Sequence, residues 1–87
     1  MRFEWDENKN IQNIDKHGVS FEEAQKVFMD RNLKLRYDEK HSSKGEKRYF
    51  GYGKIGENIL TVRFTLRRNA IRIIGAGYWR EGRDYYG

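Results

Sequence analysis

Residues 59–66 read Ile-Leu-Thr-Val-Arg-Phe-Thr-Leu, which is the clearest β-strand pattern in the chain. Successive residues of a strand point to opposite faces of a sheet, so this alternation makes one face apolar and the other polar. The apolar set is Leu60, Val62, Phe64 and Leu66, and the polar set is Thr61, Arg63 and Thr65. The pattern predicts a sheet with one buried face and one face left to solvent or to a partner.

Three more strand patterns surround this one, at residues 33–37, 48–54 and 71–76. Turns are predicted at Gly56-Glu57-Asn58 and at Arg68-Asn69, where residues that favour turns separate the strands. The segment 38–47 holds almost nothing to bury, and we expect a mobile loop there. These four strands form an antiparallel meander.

The turn between the last two strands sets their register. A tight turn would pair Phe64 with Ile73 and Thr65 with Arg72, which places Arg63 and Arg72 diagonally on one face, within reach of a common anion. Arginines on strands hold their positions well, and pre-organised cations are what a transferring phosphate needs. The same two arginines also fit a simpler interpretation, as the solvated half of an alternating pattern.

A short strand at Phe3-Glu4-Trp5 and then two helices are predicted before the meander. Asp6 is a suitable N-cap for a helix through about Lys16, with Ile11 and Ile14 on its inner face and Gly18 at its end. Ser20-Phe21-Glu22-Glu23 is a capping box that begins a second helix, which runs to about residue 30. The tail, residues 77–87, has weak helical character broken by a glycine. We therefore predict an α+β fold, with two N-terminal helices packed on one face of a mostly antiparallel four-stranded sheet.

Length and composition limit the possible classes of protein. Eighty-seven residues make one domain, residues 1–87, with a thin core. The chain contains no cysteine, which excludes disulfides, thiolate zinc sites and cysteine nucleophiles. No apolar run reaches the length of a membrane span, and the N-terminus has no apolar signal core. We expect a soluble, cytoplasmic protein with no membrane partner.

The net charge of +5 is confined to the second half of the chain. Residues 1–44 carry nine basic and nine acidic side chains, whereas residues 45–87 carry nine basic and four acidic ones. Seven of those nine cations are arginine, which binds phosphate bidentately where lysine offers a point charge. The distribution favours a face that binds a polyanion, most naturally a nucleic acid, although an acidic protein fits the charge equally well.

Several strings of residues resemble a known family. They are Phe3-Glu4-Trp5-Asp6, Asn8-Lys9, Lys16-His17-Gly18-Val19-Ser20-Phe21-Glu22-Glu23-Ala24, Glu46-Lys47-Arg48-Tyr49, Phe64-Thr65-Leu66-Arg67 and Ile71-Arg72-Ile73-Ile74. Together they resemble the BrnT toxins over nearly the whole chain. The resemblance implies a type II toxin with a RelE-like ribonuclease fold. It further implies neutralisation by a BrnA-type antitoxin that contacts DNA itself, so that the toxin meets DNA only indirectly.

One position departs from the family pattern. Many members follow the last strand with Ser-Ala-Arg, whereas Gly75-Ala76-Gly77 stands here and leads into Tyr78-Trp79-Arg80. The arginine of that motif is therefore absent at Gly77.

The residues suggest RNA cleavage without a metal or any other cofactor. The acids near the two helix starts are explained by the helix dipole, and only two histidines exist. The RNA 2′-hydroxyl can itself attack the adjacent phosphate if the protein supplies a base, an acid and cations. We take His17 and Glu46 as candidates for base or acid. The predicted catalytic set is His17, Glu46, Arg48, Arg67 and Arg72, and the predicted RNA-binding set is Lys16, Tyr49, Arg63, Arg80 and Tyr85.

Each assignment has a structural alternative. A histidine at a helix C-terminus is also explained by the dipole, Glu46 by a surface ion pair, and most aromatic residues by core packing. For the whole protein, two other hypotheses remain open. One is a basic module that binds RNA or an acidic partner without cutting, and the other is a degenerate toxin that acts only in complex with its antitoxin.

Overall fold

A computed structural model of the chain describes residues 1–87 and contains five strands and three α-helices. The strands are β1 (Arg2–Glu4), β2 (Lys34–Tyr37), β3 (Arg48–Ile55), β4 (Asn58–Arg67) and β5 (Ala70–Gly77). The helices are α1 (Glu7–His17), α2 (Phe21–Ala24) and α3 (Arg80–Tyr86), and a 3-10 helix over Gln25–Met29 directly extends α2. None of the helices has the length and apolar composition needed to cross a bilayer.

The five strands form one sheet in the order β1-β5-β4-β3-β2. Strands β2 to β5 are the predicted antiparallel meander, and β1 pairs parallel to β5, with Phe3 opposite Ile71. The α+β class is thus confirmed, whereas the four-stranded sheet is wrong by one strand. The Phe3 ring packs on Phe28 at 5.5 Å between centroids, so the apolar side chain of β1 joins the core when the strand docks.

The predicted register between the last two strands is confirmed. Phe64 pairs with Ile73, and Thr65 pairs with Arg72. The turn that joins β4 to β5 has φ of 48° at Arg68 and 66° at Asn69, the left-handed pair that suits a two-residue hairpin. A bulge beside Phe64 then shifts the register by one residue, which leaves Ile74 unpaired in the ladder.

The core lies between the sheet and the helical layer formed by α2 and its 3-10 extension. It consists of Val19, Phe21, Ala24, Val27, Leu60, Val62, Phe64, Ile71, Ile73 and Ala76, all less than 5% exposed. The closest approach of the two layers is at Gly53, where a Cβ would lie 2.7 Å from the Val27 carbonyl oxygen. We call this side of the sheet the helix face.

Helix α1 begins and ends as predicted but turns a different side inward. Gly18 ends it with φ of 70°. Ile11 and Ile14, predicted on the inner face, are 56% and 44% exposed, and Asn13 is the buried residue. The Asn13 amide donates to the Ala76 carbonyl oxygen at 2.9 Å and accepts from the Ala76 amide at 3.2 Å. Because β1 pairs only with residues 70–72, the rest of the β5 edge needs partners, and Asn13 supplies them.

The second predicted helix divides into two kinds of helix. Ser20 caps it by accepting from the Glu23 amide at 3.0 Å, as expected, but α2 ends at Ala24 and the 3-10 helix carries the chain on to Met29. The Glu23 carboxylate does not complete the capping box. It accepts instead from the Tyr78 hydroxyl at 2.5 Å, which ties α2 to the chain just after β5.

Helix α3 packs on the other side of the sheet, against one end of β3 and β4. Gly82 lies inside this helix, although the sequence predicted that it would break helical character there. At Gly82 the helix meets Thr61, and a Cβ would also lie 3.1 Å from the Tyr52 ring. A residue without a side chain therefore allows the helix to lie directly on the strands.

Candidate functional site

The sheet side opposite the helix face, here called the open face, is only partly covered. Helix α3 covers the end that contains Tyr52 and Thr61. The strand registers place the remaining polar side chains on this same side in successive rows. The uncovered rows consist of Arg36, Phe50 and Arg63, then Arg48, Thr65, Arg72 and Glu4, and finally Arg67 and Arg2. The open face is therefore dominated by arginine.

The central row has Thr65 between two arginines. Arg48 pairs with Thr65 on one side and Arg72 pairs with it on the other, so the two arginine Cα atoms are about 10 Å apart. Both arginines have 30% of their side chains exposed. Thr65 is short, so its side chain extends less far from the sheet than the two arginines on either side of it.

Each of these arginines is held by a carboxylate. Arg48 Nε lies 2.8 Å from Glu46 Oε2, and Arg72 Nη1 lies 3.2 Å from Glu4 Oε2. The pairs fix the planes of the guanidinium groups while leaving other N–H donors of each fork unused. The row therefore combines two oriented cations with two carboxylates, the groups that acid–base chemistry at a phosphate requires.

The polar segment 38–47 is hydrogen-bonded to the sheet. The Ser42 hydroxyl accepts from the Arg48 amide at 2.8 Å and donates to the Asp38 carbonyl oxygen at 2.7 Å. Thr65 donates from its hydroxyl to the Lys47 carbonyl oxygen at 2.6 Å. Residues 44–47 line a cleft of about 370 Å³ together with Tyr49, Thr65, Leu66 and Arg67, and this cleft lies beside Arg48 without including it.

A second pocket of about 220 Å³ lies between α1 and the open face. Its lining includes Lys9 and Lys16 from α1, His17 at the end of that helix, Arg63 from β4, and Trp79. The His17 and Trp79 rings meet nearly at right angles, with 5.2 Å between centroids. Arg63 lies across Gly75, where its Nη1 would be 3.7 Å from a Cβ at that position.

The structure thus sorts the predicted site residues into three groups. Glu46, Arg48, Arg67 and Arg72 lie together around the central row, and Lys16, His17 and Arg63 share the second pocket. Tyr49 lines the cleft together with Glu46 and Arg67, whereas Arg80 and Tyr85 join neither the central row nor the second pocket. The two candidates for base or acid, Glu46 and His17, are therefore in different pockets. Four residues of β4 separate Arg63 from Arg67, which corresponds to about 13 Å.

The surroundings of Tyr49, Arg80 and Tyr85 differ from one another. The Tyr49 ring points to the helix face, where it stacks on Phe64 with centroids 5.6 Å apart. The Tyr85 ring, on α3, contacts Tyr52 at 4.9 Å, and the Arg36 guanidinium lies 5.4 Å from its centroid. Arg80 is exposed at the first position of α3. Packing accounts for the Tyr85 ring, whereas Tyr49 both packs on Phe64 and lines the cleft.

A family model described as the ribonuclease toxin BrnT of type II toxin–antitoxin systems matches residues 5–82. The chain belongs to the BrnT family. It is accordingly a ribonuclease toxin of a type II system, with RNA as its target and an antitoxin as its partner. No significant match to a curated protein sequence was found. The family resemblance read from the sequence strings is confirmed.

The structure shows what a side chain at Gly77 would meet. A Cβ at position 77 would lie 2.6 Å from Cζ2 and 2.7 Å from Nε1 of the Trp79 indole. The indole occupies the space that a side chain at 77 would need, so an arginine cannot occur there while Trp79 keeps its place. The position of the Trp79 indole therefore depends on glycine at 77, and the indole lies beside the His17 ring.

Three residues of the site were not found from the sequence. Glu4 reaches Arg72 only through the parallel pairing of β1 with β5, which joins positions 68 residues apart. Lys9 and Trp79 reach the second pocket only because α1 packs beside β5. The one usable signal was the alternation of residues 3–5, which marked β1 as a strand and placed Glu4 opposite to Phe3.

Proposed function

We propose that this BrnT-family toxin is a metal-independent endoribonuclease whose reacting phosphate binds between Arg48 and Arg72. The observation that carries the proposal is the central row, in which Thr65 separates two arginines that point from rigid strands to the same side. Strands hold side chains in place, and donors fixed where charge develops are the strongest contributors to such catalysis.

The reaction assigned to this row is attack of the RNA 2′-hydroxyl on the adjacent phosphorus. The 2′-oxygen forms a bond to phosphorus, the bond to the 5′-oxygen breaks, and a 2′,3′-cyclic phosphate and a 5′-hydroxyl result. Glu46, which pairs with Arg48 and lines the cleft, takes the 2′-hydroxyl proton, and the leaving oxygen is protonated from solvent. Arg48, Arg67 and Arg72 neutralise the charge that accumulates on the phosphate oxygens.

His17 has a different role in this proposal from the one that the sequence suggested. Because it lies in the pocket with Lys16 and Arg63, it contacts RNA outside the reacting phosphate. The proposed neutralising partner is a BrnA-type antitoxin, and the proposed site of action is the cytoplasm. Positive charge concentrated on one half of the chain supports both an RNA substrate and an acidic partner surface.

The test compares Arg72→Ala with Arg31→Ala, an exposed arginine outside the open face that makes no ion pair. Cleavage of a defined RNA is measured in excess chelator, with circular dichroism as the check of folding. We expect the parent and Arg31→Ala to cut equally, and Arg72→Ala to lose about 100-fold or more in kcat.

Three results would contradict the proposal. They are full activity of Arg72→Ala, loss of parental activity in chelator, and binding of RNA that weakens steeply with salt but yields no cleavage product. The last of these would favour the non-catalytic binding module instead.

A further inference from the structure

The second pocket has a composition suited to one particular kind of ligand. Lys9, Gln12 and Lys16 lie on one side of α1, spaced three and four residues apart, and line the pocket together. Arg63 enters from β4 and lies over Gly75, which has no side chain to obstruct it. Two elements that are distant in the sequence thus contribute donors to one cavity.

The charge of this pocket is uncompensated. The chain contains four ion pairs, and none of them involves Lys9, Lys16 or Arg63. No acidic residue lines the cavity. Three unpaired cations around a small cavity favour an anion, and the planar fork of Arg63 suits a phosphate.

The wall opposite the cations is aromatic. Trp79 is half-buried, with one edge against Gly77 and the His17 ring perpendicular to it. A carboxylate gains nothing from the ring of an indole, whereas every nucleobase presents an aromatic face or edge to one. The combination therefore favours a nucleotide over a protein carboxylate.

We propose that this pocket is a subsite for a single nucleotide of the RNA, with a phosphate held by Lys16 and Arg63 and the base against Trp79. The inference rests on the proposed function for its place in the reaction. Arg63 lies two residues from Thr65 on the same face, about 7 Å away, so the subsite holds the nucleotide next to the reacting phosphate. The absence of a side chain at Gly77, which leaves room for the indole, then serves substrate binding.

The binding test uses 5′-AMP, which contains no phosphodiester bond for the enzyme to cut. The chain has two tryptophans, so in a Trp5→Phe background selective excitation of tryptophan follows Trp79 alone. We expect 5′-AMP to quench that fluorescence saturably and to bind at least tenfold more tightly than inorganic phosphate or adenosine. Lys16→Ala and Arg63→Ala should each weaken binding about tenfold, while Lys26→Ala, remote from the pocket, should not.

The contribution of the aromatic wall is tested by calorimetry with Trp79→Leu and Trp79→Phe. We expect Trp79→Leu to bind 5′-AMP no better than inorganic phosphate, and Trp79→Phe to recover most of the difference. Backbone amide shifts of the parent on addition of 5′-AMP should centre on residues 9–17 and 75–79, which locates the site without any substitution. With an RNA substrate, Trp79→Leu should raise KM and leave kcat nearly unchanged.

The outcomes separate the subsite from the proposed chemistry. Equal affinity for 5′-AMP and phosphate, an unchanged affinity in Trp79→Leu, or tighter binding of an acidic peptide than of 5′-AMP would each overturn the subsite. If 5′-AMP binds as described but no RNA is cut, the ribonuclease mechanism fails and the subsite stands. If Arg72→Ala stops cleavage while 5′-AMP affinity is unchanged, both are supported.

Discussion

The two faces of the sheet are built from the same strands, but one face packs in the core and the other is available to a ligand. On β4, Val62 and Phe64 lie buried against the helical layer, while Arg63, between them in the sequence, extends over the open face. Alternation allows one strand to serve the core with half of its residues and a ligand with the other half. Stability should therefore depend on the helix face, and activity on the open face.

Removing an aromatic ring from the helix face should lower the free energy of unfolding more than the other changes considered below. Phe64→Ala leaves a cavity among Phe28, Tyr49 and the core, and we expect it to lower the free energy of unfolding by about 3–5 kcal/mol. Its matched control is Phe50→Ala on the open face, where the half-buried ring stacks only on Tyr52, and a loss of about 1 kcal/mol is expected. Urea denaturation measures both. Equal losses would show that side chains on the open face are packed as a core, and that stability does not depend mainly on the helix face.

A pair of glycines tests the same comparison with the smallest possible change. At Gly53 an added methyl group would meet the Val27 backbone and side chain at 2.7–3.0 Å, whereas at Gly75 it would meet only flexible Arg63 atoms at 3.7 Å and the Asn13 amide oxygen at 3.9 Å. We expect Gly53→Ala to cost about 1–3 kcal/mol by overpacking, and Gly75→Ala to stay within about 0.5 kcal/mol of the parent. The midpoints of urea denaturation of the two variants and the parent measure both losses. A Gly75→Ala protein as destabilised as Gly53→Ala would mean that the open face is packed as tightly as the helix face.

The parts of the fold that the sequence predicted correctly are those set by neighbouring residues. The caps at Asp6 and Ser20 depend on the next three residues, and the β4–β5 register depends on a two-residue turn. The sorting of Arg63 and Arg72 to one face follows from that register and from period-two alternation. Local chemistry thus placed the arginines correctly before any tertiary contact was known.

The errors at β1, at α1 and at His17 concern contacts between distant segments. The alternation at β1 was recognised, but its parallel partner lies about 68 positions away and leaves no local sign. Ile11 and Ile14 looked like the inner side of α1, yet α1 packs beside the unpaired edge of β5, where an amide satisfies backbone groups better than an alkyl chain does. The separation of His17 from Glu46 has the same origin, since it depends on where α1 rests against the sheet.

One hydrogen bond joins the helical layer to the chain just after β5. Tyr78, which directly follows β5, donates to the Glu23 carboxylate of α2. Burial, the hydrogen bond to Glu23 and the negative charge of that carboxylate together raise the pKa of Tyr78 from 10.0 to about 12. A raised pKa means that the neutral phenol is favoured in the folded state, so its contribution is complete below pH 10 and disappears as the pH rises from 10 to about 12.

Loss of the hydrogen bond between Tyr78 and Glu23 at alkaline pH should lower the free energy of unfolding by the least. Because Tyr78 is 39% exposed, solvent screens the interaction, and we expect it to account for no more than about 1 kcal/mol of the decline in unfolding free energy over that pH interval. Urea denaturation at several pH values should show a shallower decline in Tyr78→Phe than in the parent, with Glu23→Gln intermediate since it keeps an acceptor but loses the charge. The other five tyrosines are present in all three proteins, so the differences isolate the link between Tyr78 and Glu23. Identical slopes in the parent and Tyr78→Phe would show that α2 and the end of β5 are held together by packing alone.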